Sequence, residues 1–197
     1  MARTYDHEMV SIYPFSEEEI ETLMLHAGEC VLMWATQEGW PVGVTQAFVW
    51  KDGRIWLTFA AHRHRAAAIR RDDRVSVNVS SASYPRATGR GRPQGAITFK
   101  GRARFVEDDA TRAWFYRALS SKLYPDDADG EAAFHELLDS PLRILLAVTP
   151  EKQIMYNAKL AFAHMAGTAA EEELGARLSS DAERMNEERT RRGLPPR

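Results

Sequence analysis

The chain has 197 residues, a formal net charge of −2, a hydrophobic fraction of 44% and a single cysteine. This fits one domain with a real core and room for a terminal extension, while the near-neutral balance gives no global field for nucleic acid or a membrane surface. One cysteine excludes an intrachain disulfide framework and a multi-cysteine zinc site; with no secretory h-region and no apolar run near the roughly 20 residues of a membrane span, the expectation is a soluble, cytoplasmic protein.

A helix is expected at 16–27. Ser16 and Glu19 have capping-box spacing, Phe15 and Ile20 hold staple positions, and Ile20, Leu23, Met24 and Ala27 make one apolar stripe. Strand signals follow in CVLMWAT (30–36) and, after the turn 37–39, in VGVTQAFVW (42–50). Cys30 opens the first of these runs, which fits a buried small apolar residue better than a nucleophile. Lys51-Asp52-Gly53 reads as a tight hairpin turn into RIWLTFA (54–60). A short Ala- and Arg-rich helix is expected over 61–73. RVSVNVS (74–80) then alternates, with Val75, Val77 and Val79 on one face.

The stretch 81–95, rich in Gly, Pro and Arg, reads as a mobile loop. AITFKGRARFV (96–106) resumes the sheet, with Ile97, Phe99, Ala103 and Phe105 on one side and Thr98, Lys100, Arg102 and Arg104 on the other. Asp108 caps a helix at 109–123 whose inner side is Trp114, Phe115, Ala118 and Leu119, and a short helix follows near 131–139. LRILLAVT (142–149) is a buried strand, and 152–156 a further one. From Thr168 the composition changes: Thr168 and Glu171 repeat the capping-box spacing, and 180–192 is either an exposed helix stopped by Gly193 and Pro195 or a frayed tail. The fold class expected is mainly β with peripheral helices, an antiparallel barrel of six or seven strands over 1–165 with a charged helical extension over 166–197. No Gly-rich strand-to-helix turn of the dinucleotide-binding type occurs.

The segment 54–80 carries the chemistry. A strand ends near Ala60 and a helix starts within a few residues, so free backbone N–H groups and the positive end of a helix dipole meet Arg63, His64 and Arg65. Arginine donates two parallel N–H groups to phosphate, and this geometry suits a phosphate site. The plainer reading is a solvated basic helix paired with Asp72 or Asp73. In the loop, Arg86, Arg90 and Arg92 could close over an anionic substrate or cofactor tail, or form a surface loop with no ligand. No recognition helix or aromatic platform accompanies the charge, so nucleic acid is not the expected partner. His62 and His64 form an HxH pair without a third ligand placed by spacing, so no metal is assigned.

In element order over about 16–156 the sequence resembles the split-barrel flavoproteins that include the pyridoxamine 5'-phosphate oxidases and the deazaflavin-dependent reductases. The residues that carry the resemblance are the Lys51-Asp52-Gly53 hairpin, the Trp56-Leu57-Thr58 strand end, the basic helix start at 63–65, Ile69, Asp72 to Ser76, and Lys100-Gly101-Arg102-Ala103. The resemblance implies a homodimeric oxidoreductase, with FMN (or, as the second choice, the deazaflavin F420) lying near the dimer interface and a small organic substrate. It implies that Leu57 and Thr58 line the flavin, that Arg65 holds the phosphate with His64 or Arg63 beside it, and that Thr45, Gln46 and Ala47 face the ring system. The acidic tail of F420 would suit the arginine loop. The sequence departs from the family pattern in four places. The Thr58–Ile69 segment is one residue longer, Asp72-Asp73-Arg74 lacks the usual proline, Ala96 stands where the family has Gln, and the C-terminal Trp and Arg segment of true pyridoxamine phosphate oxidases is absent. The alternatives are a non-catalytic split barrel that binds or senses flavin or haem, and a partner-binding stress protein that docks through its tail.

Overall fold

The computed structural model describes residues 12–85, 89, 91–176 and 179–196, with only the backbone described at 179–181. Seven strands form one antiparallel sheet: β1 (Glu29–Ala35), β2 (Pro41–Ala47), β3 (Val49–Lys51), β4 (Arg54–Ala60), β5 (Arg74–Ser80), β6 (Gly95–Val106) and β7 (Arg143–Asn157). Their order is β2-β1-β5-β6-β7-β4-β3. β2 and β3 lie at opposite ends of that order yet are separated in the chain only by Phe48, so the sheet must curl until its two edges approach, which makes a split barrel. Among the described residues six α-helices accompany it: α1 (Glu17–His26), α2 (His64–Arg71), α3 (Asp109–Leu123), α4 (Ala128–Leu138), α5 (Ala158–Met165) and α6 (Ser179–Arg191).

Local chemistry sets several boundaries. Ser16 and Glu19 form the expected reciprocal capping box on α1. Asp108 caps α3 by accepting from the Thr111 N–H. Asp52 (φ 53°) and Gly53 (φ 67°) both adopt the left-handed backbone that a two-residue hairpin turn requires. Three expectations need correction, and one helix, α5, has no counterpart among the expectations. The run 42–50 is two strands, because the chain leaves β1 after Ala47 and joins β4 from Val49. The strands expected at 142–149 and 152–156 are one, β7, carried past Pro150 and Glu151 by a bulge opposite Lys100 and Gly101. The helix α5 follows β7 directly, with Asn157 as its N-cap. The second capping box does not form: the Thr168 hydroxyl donates to the Ala163 carbonyl, and Glu173 accepts from the Ala170 N–H without a side-chain bond in return.

The strands divide their side chains between two cores. Inside the barrel lie Cys30, Leu32, Phe48, Ile55, Leu57, Phe59, Val75, Val77, Val79, Ile97, Phe99, Leu146 and Val148, closed by Leu23 and Met24 of α1 and Ile69 of α2. Outside, α3 and α4 pack Phe115, Tyr116, Leu119 and Leu138 on Val49, Trp56, Leu145 and Ala147. Burial of the Cys30 thiol, at 2% exposure, pushes its pKa up to about 12, which suits a packing residue rather than a nucleophile. Among the described residues no helix is long and apolar enough to cross a membrane.

Candidate functional site

The site is built where β4 ends and α2 begins. Leu57 and Phe59 point into the barrel, while Trp56, Thr58 and Ala60 point outward. Leu57 is fully buried in the inner core, so of the two residues expected to line a flavin only Thr58 lies on an accessible face. Its hydroxyl donates to the Ile144 carbonyl at 2.9 Å. The oxygen lone pairs remain able to accept a further bond.

β7 adds a residue that local sequence does not suggest. Ala60 stands opposite Arg143 and Thr58 opposite Leu145, so Arg143 projects on the same outer face as Thr58. Arg63 is the N-cap residue of α2 and gives it no side-chain cap. Arg63 and His64 are exposed, whereas Arg65 is half-buried with its guanidinium 4.5 Å from the Phe59 ring centroid. The guanidinium of Arg65 is held below its ordinary pKa by burial first, then by the positive charges of Arg63 and Arg143. The Nε atoms of both Arg65 and Arg143 are sealed from water without a hydrogen-bond partner. Two guanidiniums that feel each other's charge, a helix start with no side-chain cap, and no carboxylate paired with either arginine among the described residues form an arrangement able to hold a dianion such as phosphate.

The residues expected from β2 separate by face. Gln46 stands opposite Cys30 and points inward, and both polar atoms of its amide are buried without a partner. Thr45 points outward and is exposed; Ala47 points outward and packs beside Val49 and Trp56. Thr45, Gln46 and Ala47 therefore cannot all face one ring from one side; Ala47 is the one that shares the outer cluster with Trp56 and Leu145.

Arg86 and Arg90 lie outside the described residues. Arg92 lies 5.9 Å from the Tyr84 ring and lines a cleft of about 1080 Å³ with Glu18, Glu19 and Lys159. The connection from β5 to β6 enters β6 at Gly95, whereas α2 lies beside the far end of that strand, where Phe105 meets Phe59 at 6.3 Å. Within one chain Arg92, the described arginine of that loop, and the start of α2 thus lie toward opposite ends of a twelve-residue strand. Among the described residues no group of three or more His, Cys, Asp or Glu is placed to hold a metal.

The antiparallel split barrel defines a class of proteins. The family model described as pyridoxamine 5'-phosphate oxidase matches residues 16–157, and the chain belongs to that family. Solved structures agree on the fold. The conserved hypothetical protein Rv2991 of Mycobacterium tuberculosis superposes with a TM-score of 0.61 at 20% identity, over 79% of this chain and 91% of that one. HutZ, the haem storage protein of Vibrio cholerae, gives 0.50 at 15%, over 71% and 92%. General Stress Protein 26 of Bacillus anthracis gives 0.50 at 14%, over 70% and 91%. No curated protein matches the sequence.

Proposed function

We propose that the chain is a flavin-dependent oxidoreductase that holds FMN by its phosphate at the start of α2 and exchanges a hydride with a small organic substrate. The observation that carries this reading is the pair Arg65 and Arg143, half-buried, with Nε donors that no group among the described residues accepts. A phosphate there would receive charge-assisted hydrogen bonds from both guanidiniums and from the free N–H groups of the first turn of α2. Thr58 would be left to accept from a cofactor hydroxyl, since its own proton is committed to Ile144. When bound, the flavin supplies the hydride-transfer chemistry, and the protein's part is to orient it and keep water away.

The deazaflavin F420 is the alternative cofactor. The placement of Arg92 with α1, away from α2 in the same chain, favours FMN, because this arginine is not beside the cradle where it would meet the F420 tail. A homodimer remains part of the proposal, to be read from the mass in solution. The test is an absorbance spectrum of the purified protein, then titration with FMN and with F420, then mixing with a chemical reductant and an acceptor. Saturable binding of FMN with turnover is the expected result. Binding without turnover points to the sensing or storage alternative, and binding of neither cofactor overturns the proposal.

A further inference from the structure

Lys122 is the penultimate residue of α3, and it is placed against the habit of its side chain. Its stem is partly exposed, while its ammonium is sealed from water with no hydrogen-bond partner. A lysine ordinarily does the reverse, burying the stem and keeping the head in water. Here Nζ turns inward and lies 3.9 Å from the centroid of the Phe48 ring. Phe48 is where the chain passes from β2 to β3, so Lys122 stands over the seam of the barrel. Burial lowers its pKa to about 8 from 10.5, and no carboxylate among the described residues offsets that loss.

The same seam holds a second unsatisfied group. Gln46 stands opposite Cys30, inside the barrel and two residues before Phe48, which is buried in the same core. Lys122 is near enough to Cys30 for each to act on the other's pKa, so its head lies among Cys30, Gln46 and Phe48. Both amide atoms of Gln46, the Oε1 acceptor and the Nε2 donor, are buried without a partner. An ammonium only donates, so Lys122 can satisfy the oxygen of Gln46 and never its nitrogen. A secondary amide carries both complements, an N–H for Oε1 and a C=O for Nε2. Acylation of the lysine would supply that amide and remove the buried charge. The added carbonyl oxygen would also extend the head by roughly 2 Å beyond Nζ, toward a group that the unmodified head does not reach.

We propose that Lys122 is an acylation site, modified by a small acyl donor of the acyl phosphate or acyl thioester class, and that the resulting amide pairs with the Gln46 amide across the seam between β2 and β3. Rotation of the part-exposed side chain brings the amine to solvent for the reaction. The neutral amine forms a C–N bond to the acyl carbon. The C–O bond to phosphate, or the C–S bond to the thiol, breaks, and the amine proton passes to the leaving group or to water. The inference does not depend on the flavin reading.

The experiment has two arms, both on the full chain. In the first, the folded protein is incubated with acetyl phosphate and the modified lysines are mapped by peptide mass spectrometry; acetylation of Lys122 is expected. In the second, Nε-acetyl-lysine is genetically encoded in place of Lys122, and its thermal unfolding is compared with that of the native chain and of Lys122→Met, each with and without Gln46→Leu. The methionine removes the charge but offers no amide. The acetyl-lysine chain should therefore melt at least ~2 °C above Lys122→Met, through the added hydrogen bonds, and that gain should vanish with Gln46→Leu. Gln46→Met serves if the leucine variant does not fold. The proposal is overturned if Lys122 stays unmodified while the exposed Lys51 and Lys159 are acetylated. It is equally overturned if the acetyl-lysine chain melts no higher than Lys122→Met, or if its gain persists without the Gln46 amide.

Discussion

The two ends of α2 carry similar charge and treat it differently. Beyond its C-terminus, Arg74 and Arg102 sit among Asp72, Asp73 and Glu151, and each guanidinium has a carboxylate within 4 Å. At its N-terminus, Arg65 and Arg143 feel each other's charge with no such partner among the described residues, and part of each is out of water. The first arrangement is complete in itself; the carboxyl of Asp72 is held well below its usual range by the hydrogen bonds from Arg74. The second leaves donors without acceptors and becomes favourable when an anion arrives. An arginine cluster points to a ligand when its counter-ions are missing, and composition alone cannot tell the two apart.

The largest expected effect is on the unpaired end. Arg65→Ala and Arg143→Ala should each weaken FMN binding about 10- to 100-fold, since a hydrogen bond to a charged group contributes about 1.5–3 kcal/mol and each factor of ten is 1.4 kcal/mol. Fluorescence titration of FMN reads this directly. Next comes Lys122, a buried cation of α3 with no hydrogen-bond acceptor for its Nζ, 3.9 Å from the Phe48 ring centroid and away from any helix start. Burial lowers its pKa to about 8 from 10.5. Lys122→Met should stabilise the fold by about 1–3 kcal/mol at pH 7 by removing an unsatisfied group, as measured by urea unfolding. Between pH 8 and 10.5 the unfolded chain binds more protons at this group than the folded one. The lysine's penalty is therefore relieved as pH rises through that window, and the advantage of the methionine variant should shrink there.

Smaller effects bound the comparison. His64→Ala removes an exposed group at the helix start and should change FMN affinity by no more than about fivefold, the scale of exposed charge contacts. Asp72→Asn at the paired end should leave FMN affinity unchanged and shift the thermal midpoint only slightly, because the Arg74 pair is solvent-exposed. A large loss of FMN binding in that variant would mean the two ends of α2 are coupled.

Much of this was legible in the sequence because it is local. β4, β5 and α3 follow from alternation, an Asp-Gly turn and an Asp cap, all signals within a few residues. Phe48 was opaque, since apolar character continues through it while the chain changes partner strand. β7 looked like two strands because Pro150 resembles a break, whereas a bulge absorbs it. α5 follows a strand with no Gly or Pro between them; its only signal is Asn157, whose side chain accepts from Leu160. The site was half legible. Arg65 follows from the strand-to-helix junction, but Arg143 arrives through pairing of β4 with β7, a long-range register that no local pattern encodes. The face of Leu57, Gln46 and Thr45 depends on which side of a curled sheet is filled, which periodicity gives only relative to a neighbour.

The central claim is that Arg65 and Arg143 together hold a cofactor phosphate. Titrating FMN and riboflavin, which lacks the phosphate, into the native chain and into the folded double variant Arg65→Ala, Arg143→Ala tests it most directly. The account predicts tight FMN and weak riboflavin binding to the native chain, and weak binding of both to the variant. FMN affinity that survives in the double variant, or equal affinity of the native chain for FMN and riboflavin, would contradict it.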